Sequence, residues 1–242
     1  MVLFQEPLSL TRFITIYIAQ GLVFAVFLFL AFKILKRDRK RLNVIFASFY
    51  ISPVFGLLIN FIYGPLTEEA VIIALNFITN FGIFYAPIFL VVFELILLKS
   101  EKVITSPKQL IILIVYGIAM FSMIFFLLIP EWGVEINVVT GWSPKWSFPF
   151  FIYLVIIESF AVLPALFLSF RILGKFEDEI LKKKWKYFIY GFCALAIFMY
   201  GIFVSNFLGI TIFRTIMGLI GLILAICGGY LMYYGVGRQI EK

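Results

Sequence analysis

Few side chains in this chain can do chemistry, and their types narrow that chemistry at once. There is no histidine among the 242 residues. This removes His-dependent metalloprotease sites, Ser–His dyads and His-ligated haem. The only aspartates, Asp38 and Asp178, sit in charged stretches, so an intramembrane aspartyl dyad is absent as well. Cys193 and Cys227 lie inside apolar runs and read as small packing residues. Without a nucleophile–base pair or a metal-ligand set, neither an enzyme nor a bound cofactor is expected. What remains is a set of polar side chains embedded in apolar sequence: Gln20, Asn60, Asn76, Asn80, Ser122, Glu158, Ser205, Asn206 and Arg214.

Composition dictates the elements that must hold them. Hydrophobic residues make up 64% of the chain and charged residues 14%. Soluble domains have about 45–50% and about 25%. A soluble domain, a disordered chain and a disulfide scaffold are all excluded, which leaves a polytopic membrane protein. A span needs about 20 mainly apolar residues, and lipid forces each to satisfy its backbone internally as a helix. Seven spans are read, at about 12–35, 42–63, 71–98, 109–129, 148–172, 187–208 and 210–236. The expected fold is therefore an all-α seven-helix bundle in one domain over 1–242. Pro87 and Pro164 mark spans three and five for a kink or tilt.

Basic residues set the direction. One set of alternate loops carries Lys33, Lys36, Arg37, Arg39, Lys40, Arg41, then Lys99, Lys102, Lys108, then Arg171, Lys175, Lys182, Lys183, Lys184, Lys186, and finally Arg238 and Lys242. The other set has Arg12, Lys145 and Arg214 among Glu6, Glu68, Glu69, Glu131 and Glu135. The reading is N-terminus outside and C-terminus inside, in the cytoplasmic membrane of a prokaryote. Trp132, Trp142, Trp146 and Trp185 all fall at expected interfaces. The apolar run at the start is too long for a cleaved signal, so span one is expected to remain. The net charge of +7 belongs mostly to the inward loops rather than to a nucleic-acid surface.

Residues 13–35 and 151–173 align without a gap and are identical at nine of 23 positions. They end Leu-Ala-Phe-Lys-Ile-Leu and Leu-Ser-Phe-Arg-Ile-Leu, and Gln20 falls opposite Glu158. Asn60-Phe61 and Asn206-Phe207 echo each other near the ends of spans two and six. Either this is a 3+1+3 parallel repeat with a binding site between its halves, or it is coincidence among Leu, Phe and Ile.

A charged side chain at the bilayer centre costs on the order of 3 kcal/mol, so it should face protein or water. At about 1.5 Å per residue, Glu158 lies about 15 Å deep and Arg214 about 7 Å deep. Asn76 and Asn80, four apart, share a helical face. The outer half could thus hold a polar cavity with ligand-binding residues Glu158, Gln20, Asn60, Asn76, Asn80, Asn206 and Arg214. An Arg214–Glu158 pair is within reach if spans five and seven are neighbours. The alternative is that the amides are interhelical ties. Glu94 should reach the interface and pair with Lys99. Gly221, Ala225 and Gly229, flanked by Gly218 and Gly228, give span seven a small-residue row for close packing or a dimer seam. Asp178–Lys182 and Glu179–Lys183 suggest that span six extends into the cytoplasm as a charged helix, facing anionic lipid or a docking partner. The outer loop 130–147 is either a lid or an ordinary connection.

These features, in order, resemble the N-terminal seven-helix region of membrane sensor histidine kinases. The likeness rests on the basic loop after span one and a long third span ending in Phe93-Glu94. It also rests on an outer loop with Gly141-Trp142-Ser143-Pro144 and a basic loop before span six. It covers about residues 8–240, and it implies a bundle that receives a signal and passes it to cytoplasmic domains. Here there is no phosphoacceptor His and no ATP-binding segment, so the resemblance implies a stand-alone module with a separate cytoplasmic signalling partner. Other seven-span classes fit less well. Span seven has no lysine for a retinal Schiff base, span three lacks the receptor Asp/Glu-Arg-Tyr, and neither half has the Pro-Gln of SWEET sugar transporters. A sensor is the first reading; a small-solute transporter or a scaffold subunit is the alternative.

Overall fold

A computed structural model describes residues 10–237. Glu6, Arg238 and Lys242, which entered the charge argument, lie outside these residues. Seven helices cross the length of a bilayer: span 1 (Ile14–Arg37), span 2 (Arg41–Tyr63), span 3 (Glu69–Lys99), span 4 (Ser106–Leu128), span 5 (Phe148–Leu173), span 6 (Glu179–Leu208) and span 7 (Thr211–Val236). The protein is an all-α seven-helix membrane bundle, and each span read from the sequence is present.

Span 3 has 31 residues, about 46 Å of helix against a hydrocarbon core of about 30 Å. It is broken at Tyr85 into Glu69–Phe84 and Ala86–Lys99. Pro87 sits at the start of the second half, where its missing N–H costs no helical bond. Side chains take up carbonyls beside the break. Ser52 Oγ donates to Gly82 O at 2.6 Å, and Tyr116 OH lies 3.4 Å from Phe84 O. Span 4 is interrupted at Ser122–Met123. Span 5 runs as one helix through Pro164, as span 2 does through Pro53, so Pro164, unlike the Tyr85–Pro87 joint of span 3, interrupts no helical segment.

The spans form a ring. Span 1 packs on 2, 2 on 3, 3 on 5, 5 on 6, 6 on 7, and 7 returns to span 1. Span 4 lies outside, against spans 3 and 5. Exchanging 1 for 5, 2 for 6 and 3 for 7 maps this neighbour order onto itself, an order that a 3+1+3 arrangement requires and that any six-helix ring in chain order shares. The aligned ends of spans 1 and 5 also behave alike. Lys33 lies over the Phe29 ring at 5.3 Å and Arg171 over the Phe167 ring at 5.7 Å. Long basic side chains here lie along aromatic surface while keeping the charge at the interface.

Glycines hold both halves together. A Cβ on Gly56 would lie 2.7 Å from Thr79 O, and one on Gly82 would lie 2.9 Å from Gly56 N. Spans 6 and 7 meet in the same way, Gly191 against the Gly228 carbonyl. In span 7, Gly221 faces Phe198, Gly229 faces Phe27, and Ala225 is buried. The small-residue row therefore packs inside the bundle. Gly218 alone in the row meets nothing within 4 Å.

Two of the four tryptophans are not interfacial anchors. Trp185 and Trp146 are buried. Trp146 plugs the end of the bundle that carries residues 130–147, with its ring edge-on to Phe150 at 5.3 Å and 6.2 Å from Phe84. It hangs from a small hairpin in which β1 (Val134–Glu135) pairs antiparallel with β2 (Lys145–Trp146). The outer loop is thus an ordered cap. Cys193 is half-buried and Cys227 exposed, and both are free thiols.

Two outcomes follow. Gly228→Leu should destabilise the protein by roughly 1–3 kcal/mol through overpacking, whereas Gly218→Leu should leave the detergent melting temperature unchanged. In a cysteine-free background, Val139→Cys, at a position 94% exposed in the outer loop, should react with a membrane-impermeant maleimide on intact cells. Glu177→Cys should react only after lysis, and the reverse pattern would invert the orientation.

Candidate functional site

The structure sorts the candidate residues into two groups on either side of span 3. The first joins spans 1, 2 and 3. The Asn60 amide donates to the Gln20 side chain. Asn76 Nδ2 donates to Tyr63 OH at 3.0 Å, and Asn80 Nδ2 to Asn76 Oδ1 at 3.0 Å. Tyr17 OH donates to Phe61 O at 3.1 Å. Asn76 and Asn80 do share a face, and their neighbours are each other and a tyrosine. The three asparagines are buried; Asn60 and Asn76 find partners on neighbouring helices, as in interhelical hydrogen bonding within membranes, and Asn80 bonds Asn76 one turn away on its own helix.

The second group is built around Glu158, which is 0% exposed. The turn Leu154–Glu158 faces inward, and the carboxyl meets span 4. Tyr116 OH is 3.2 Å from Glu158 Oε2. The same hydroxyl lies 3.4 Å from Phe84 O, one residue before the break in span 3. Ser159 Oγ lies 2.7 Å from Tyr200 OH of span 6. Glu158 Oε1 has no hydrogen-bond partner and is shielded from solvent, and Trp146 Nε1 in the cap above is in the same state. An unpartnered acceptor and an unpartnered donor are thus buried near Phe84, each leaving a desolvation cost of about 1–3 kcal/mol unanswered.

Arg214 does not join this site. Its Nη2 donates to Pro144 O, and its Nε lies 3.4 Å from Ser205 O. It ties the outer loop to the end of span 6. The expected Arg214–Glu158 pair fails because span 6 stands between spans 5 and 7 in the ring. Asn206 is half-buried at the end of span 6 and, among the described residues, is hydrogen-bonded to neither group. Its repeat counterpart Asn60 holds Gln20, whereas Glu158, the counterpart of Gln20, has turned to span 4. Ser122 bonds its own helix, with its hydroxyl donating to Ile118 O at 2.9 Å.

Glu94 is a second enclosed carboxyl, and its expected partner Lys99 is not the one it takes. It is 0% exposed, and the Ser169 hydroxyl of span 5 donates to Oε1. Trp185 Nε1 donates to Ser169 O at 2.8 Å. Glu94 Oε2 has no partner. The sequence does carry a signal for this: Ser169 stands where the aligned first span has Ala31, a hydroxyl added at one of two equivalent positions.

At the basic end, span 6 extends beyond the apolar run as expected, but with different pairing. Asp178 caps the helix by accepting from Ile180 N at 2.6 Å and Leu181 N at 3.1 Å. Glu179 then pairs with Lys182 at 2.7 Å. An open cleft beside it is lined by Glu179, Ile180, Lys183, Lys184, Tyr187 and Tyr234.

No protein-family model matches the chain, and no curated protein matches it.

Proposed function

We propose that this membrane protein is a receptor-like sensor module and that its input is read at Glu158. The observation that carries the reading is the shared hydroxyl of Tyr116. It lies within reach of both the Glu158 carboxyl and the Phe84 carbonyl, and a phenol has a single proton to donate. When Glu158 is an unoccupied carboxylate, Tyr116 donates to it. When Oε1 and Oε2 are taken by a cation, an amine or a proton, that hydrogen turns to Phe84 O at the break in span 3. Occupancy of the carboxyl is thereby linked to the joint between the halves of span 3. A ligand shifts such an equilibrium only by binding the two states differently, and a hydrogen bond made in one state alone supplies that difference.

The input is a small molecule that offers a hydrogen-bond donor or positive charge to Glu158, or a change in the bilayer around span 4. The output travels along Ala86–Lys99, which holds Glu94 against Ser169, to the basic loops around 33–41 and 174–186. A separate cytoplasmic signalling protein reads it there, on the inner face of a prokaryotic plasma membrane. The resemblance to the membrane region of sensor histidine kinases supports this division of labour.

The test uses the protein in nanodiscs with a library of small amines and zwitterions. A compound that raises the melting temperature of the native protein should fail to do so in Glu158→Gln. In Tyr116→Phe it should still bind, but crosslinking of a co-purified partner at 174–186 should no longer respond to it. Stabilisation that survives in Glu158→Gln sinks the reading.

The two-fold neighbour order of the ring favours one second reading, a small-solute transporter. Solute uptake into proteoliposomes, abolished in Glu158→Ala or Asn206→Ala, would replace the sensor with that transporter.

A further inference from the structure

The turn between spans 1 and 2 carries four basic residues, Arg37, Arg39, Lys40 and Arg41, against one acid, Asp38. Two of them are not free surface charges. Arg37 Nη2 donates to Asn43 Oδ1 at 3.0 Å, and Asn43 is itself buried, with its Nδ2 donating to Asp38 O at 3.3 Å. Arg41 Nε donates to Gln109 Oε1 of span 4 at 2.8 Å. Each guanidinium is thus held at one point by a neutral amide. The remaining nitrogens are left over: Arg37 Nε, Arg37 Nη1 and Arg41 Nη2 are shielded from solvent and have no acceptor. A guanidinium has five N–H donors, and leaving charged donors buried and unpaired is costly.

The start of span 2 adds to the same charge. Arg41 is its first residue, Lys40 provides no side-chain cap, and no acid lies in the first turn. The positive end of a helix of 23 residues is therefore unneutralised beside two guanidinium groups. Asp38 does not fill the gap. Its carboxylate is taken by Lys40, through the Lys40 N–H at 3.0 Å and Nζ at 3.1 Å. Desolvation pushes the Asp38 carboxyl up, but Lys40 and the field of Arg37 outweigh it and hold the group below the usual carboxylate range.

We propose that Arg37, Arg41 and the start of span 2 form a binding site for a phosphate group, supplied by an anionic phospholipid of the leaflet at the basic end. The unpaired guanidinium edges match the planar, two-point recognition that arginine gives phosphate oxygens. The location fits the source, because the site stands where a helix leaves the hydrocarbon, at headgroup depth, and polybasic segments there attract anionic lipid. Asn43 and Gln109 are positioning residues that hold the two forks without touching the phosphate. Because Gln109 belongs to span 4, a bound headgroup clamps that outlying helix to the ring.

The experiment is native mass spectrometry of the detergent-purified, delipidated full chain with phosphatidylglycerol, with phosphatidylcholine, and with inorganic phosphate as a separate arm. The expected result is preferential retention of phosphatidylglycerol. Its apparent Kd should rise about tenfold or more in Arg37→Gln/Arg41→Gln, equivalent to about 1.4 kcal/mol. A similar rise is expected in Arg37→Lys/Arg41→Lys, which keeps the charge and loses the fork. Lys102→Gln/Lys175→Gln, on the same face of the membrane, should leave retention unchanged. Gln109→Ala, which keeps both arginines, should weaken retention a few-fold and guards against misfolding of the double variants. Stabilisation of the native protein by inorganic phosphate alone, lost in the same arginine variants, would keep the site and move its source to solution. Equal retention in the native protein and the arginine double variants, or equal loss in the lysine control, would overturn the proposal.

Discussion

Everything in this bundle depends on how closely its helices can approach. Lipid offers helices no hydrophobic reason to associate, since its tails are as apolar as leucine, so van der Waals contact between backbones must do so. Gly56 against Gly82 and Gly191 against Gly228 provide two such contacts, one in each half of the ring. In each case a single methyl group would collide with a main-chain atom of the neighbour. With those crossings closed, spans 1, 2 and 3 enclose the amides, and the small-residue row of span 7 packs against spans 6 and 1. The ring order then places span 5 beside span 3, and both buried carboxyls lie at that seam.

The two halves share a plan and differ in what they do with it. Gln20 and Glu158 stand at aligned positions, yet the amide is satisfied within its own half by Asn60. The carboxyl instead reaches span 4, which has no counterpart in the repeat. Ala31 and Ser169 repeat the contrast near the other end, where only the serine faces an acid. In both places span 5 carries the more polar of the two aligned side chains: a carboxyl at Glu158, and at Ser169 a hydroxyl for the Glu94 carboxyl of span 3, the helix that is broken at mid-depth.

Much of this was legible in the sequence because its signals are long. Twenty-residue apolar runs, basic loops and the gapless alignment of two spans survive any detail of packing. The N-cap and i,i+3 pairing at 178–182 were half legible, since several short-range partners compete and the helix start selects among them. Partner choice in the interior was not legible. Arg214 and Glu158 are at compatible depths, but depth carries no information on the order of helices around a ring. Glu94 lies one turn from Lys99, yet the direction of its side chain is set by the roll of span 3 against span 5. Trp146 and Trp185 follow the interfacial rule in position along the axis and break it in the radial direction. The unpaired nitrogens of Arg37 and Arg41 had no sequence signal beyond belonging to a basic loop.

Span 4 ends as the odd helix in another sense. Only 17% of the residues in its most apolar window are buried inside the protein, the smallest share of any of the seven spans, which leaves this helix the most open to acyl chains. Its depth and tilt are then governed by hydrophobic mismatch as much as by its neighbours. Tyr116 fastens it to Glu158 at mid-depth and Gln109 fastens it to Arg41 at the basic end. A change in acyl-chain length or lateral pressure that shifts this helix along the membrane normal pulls on both ties at once, so the thickness of the membrane is itself a variable that the buried carboxyl feels.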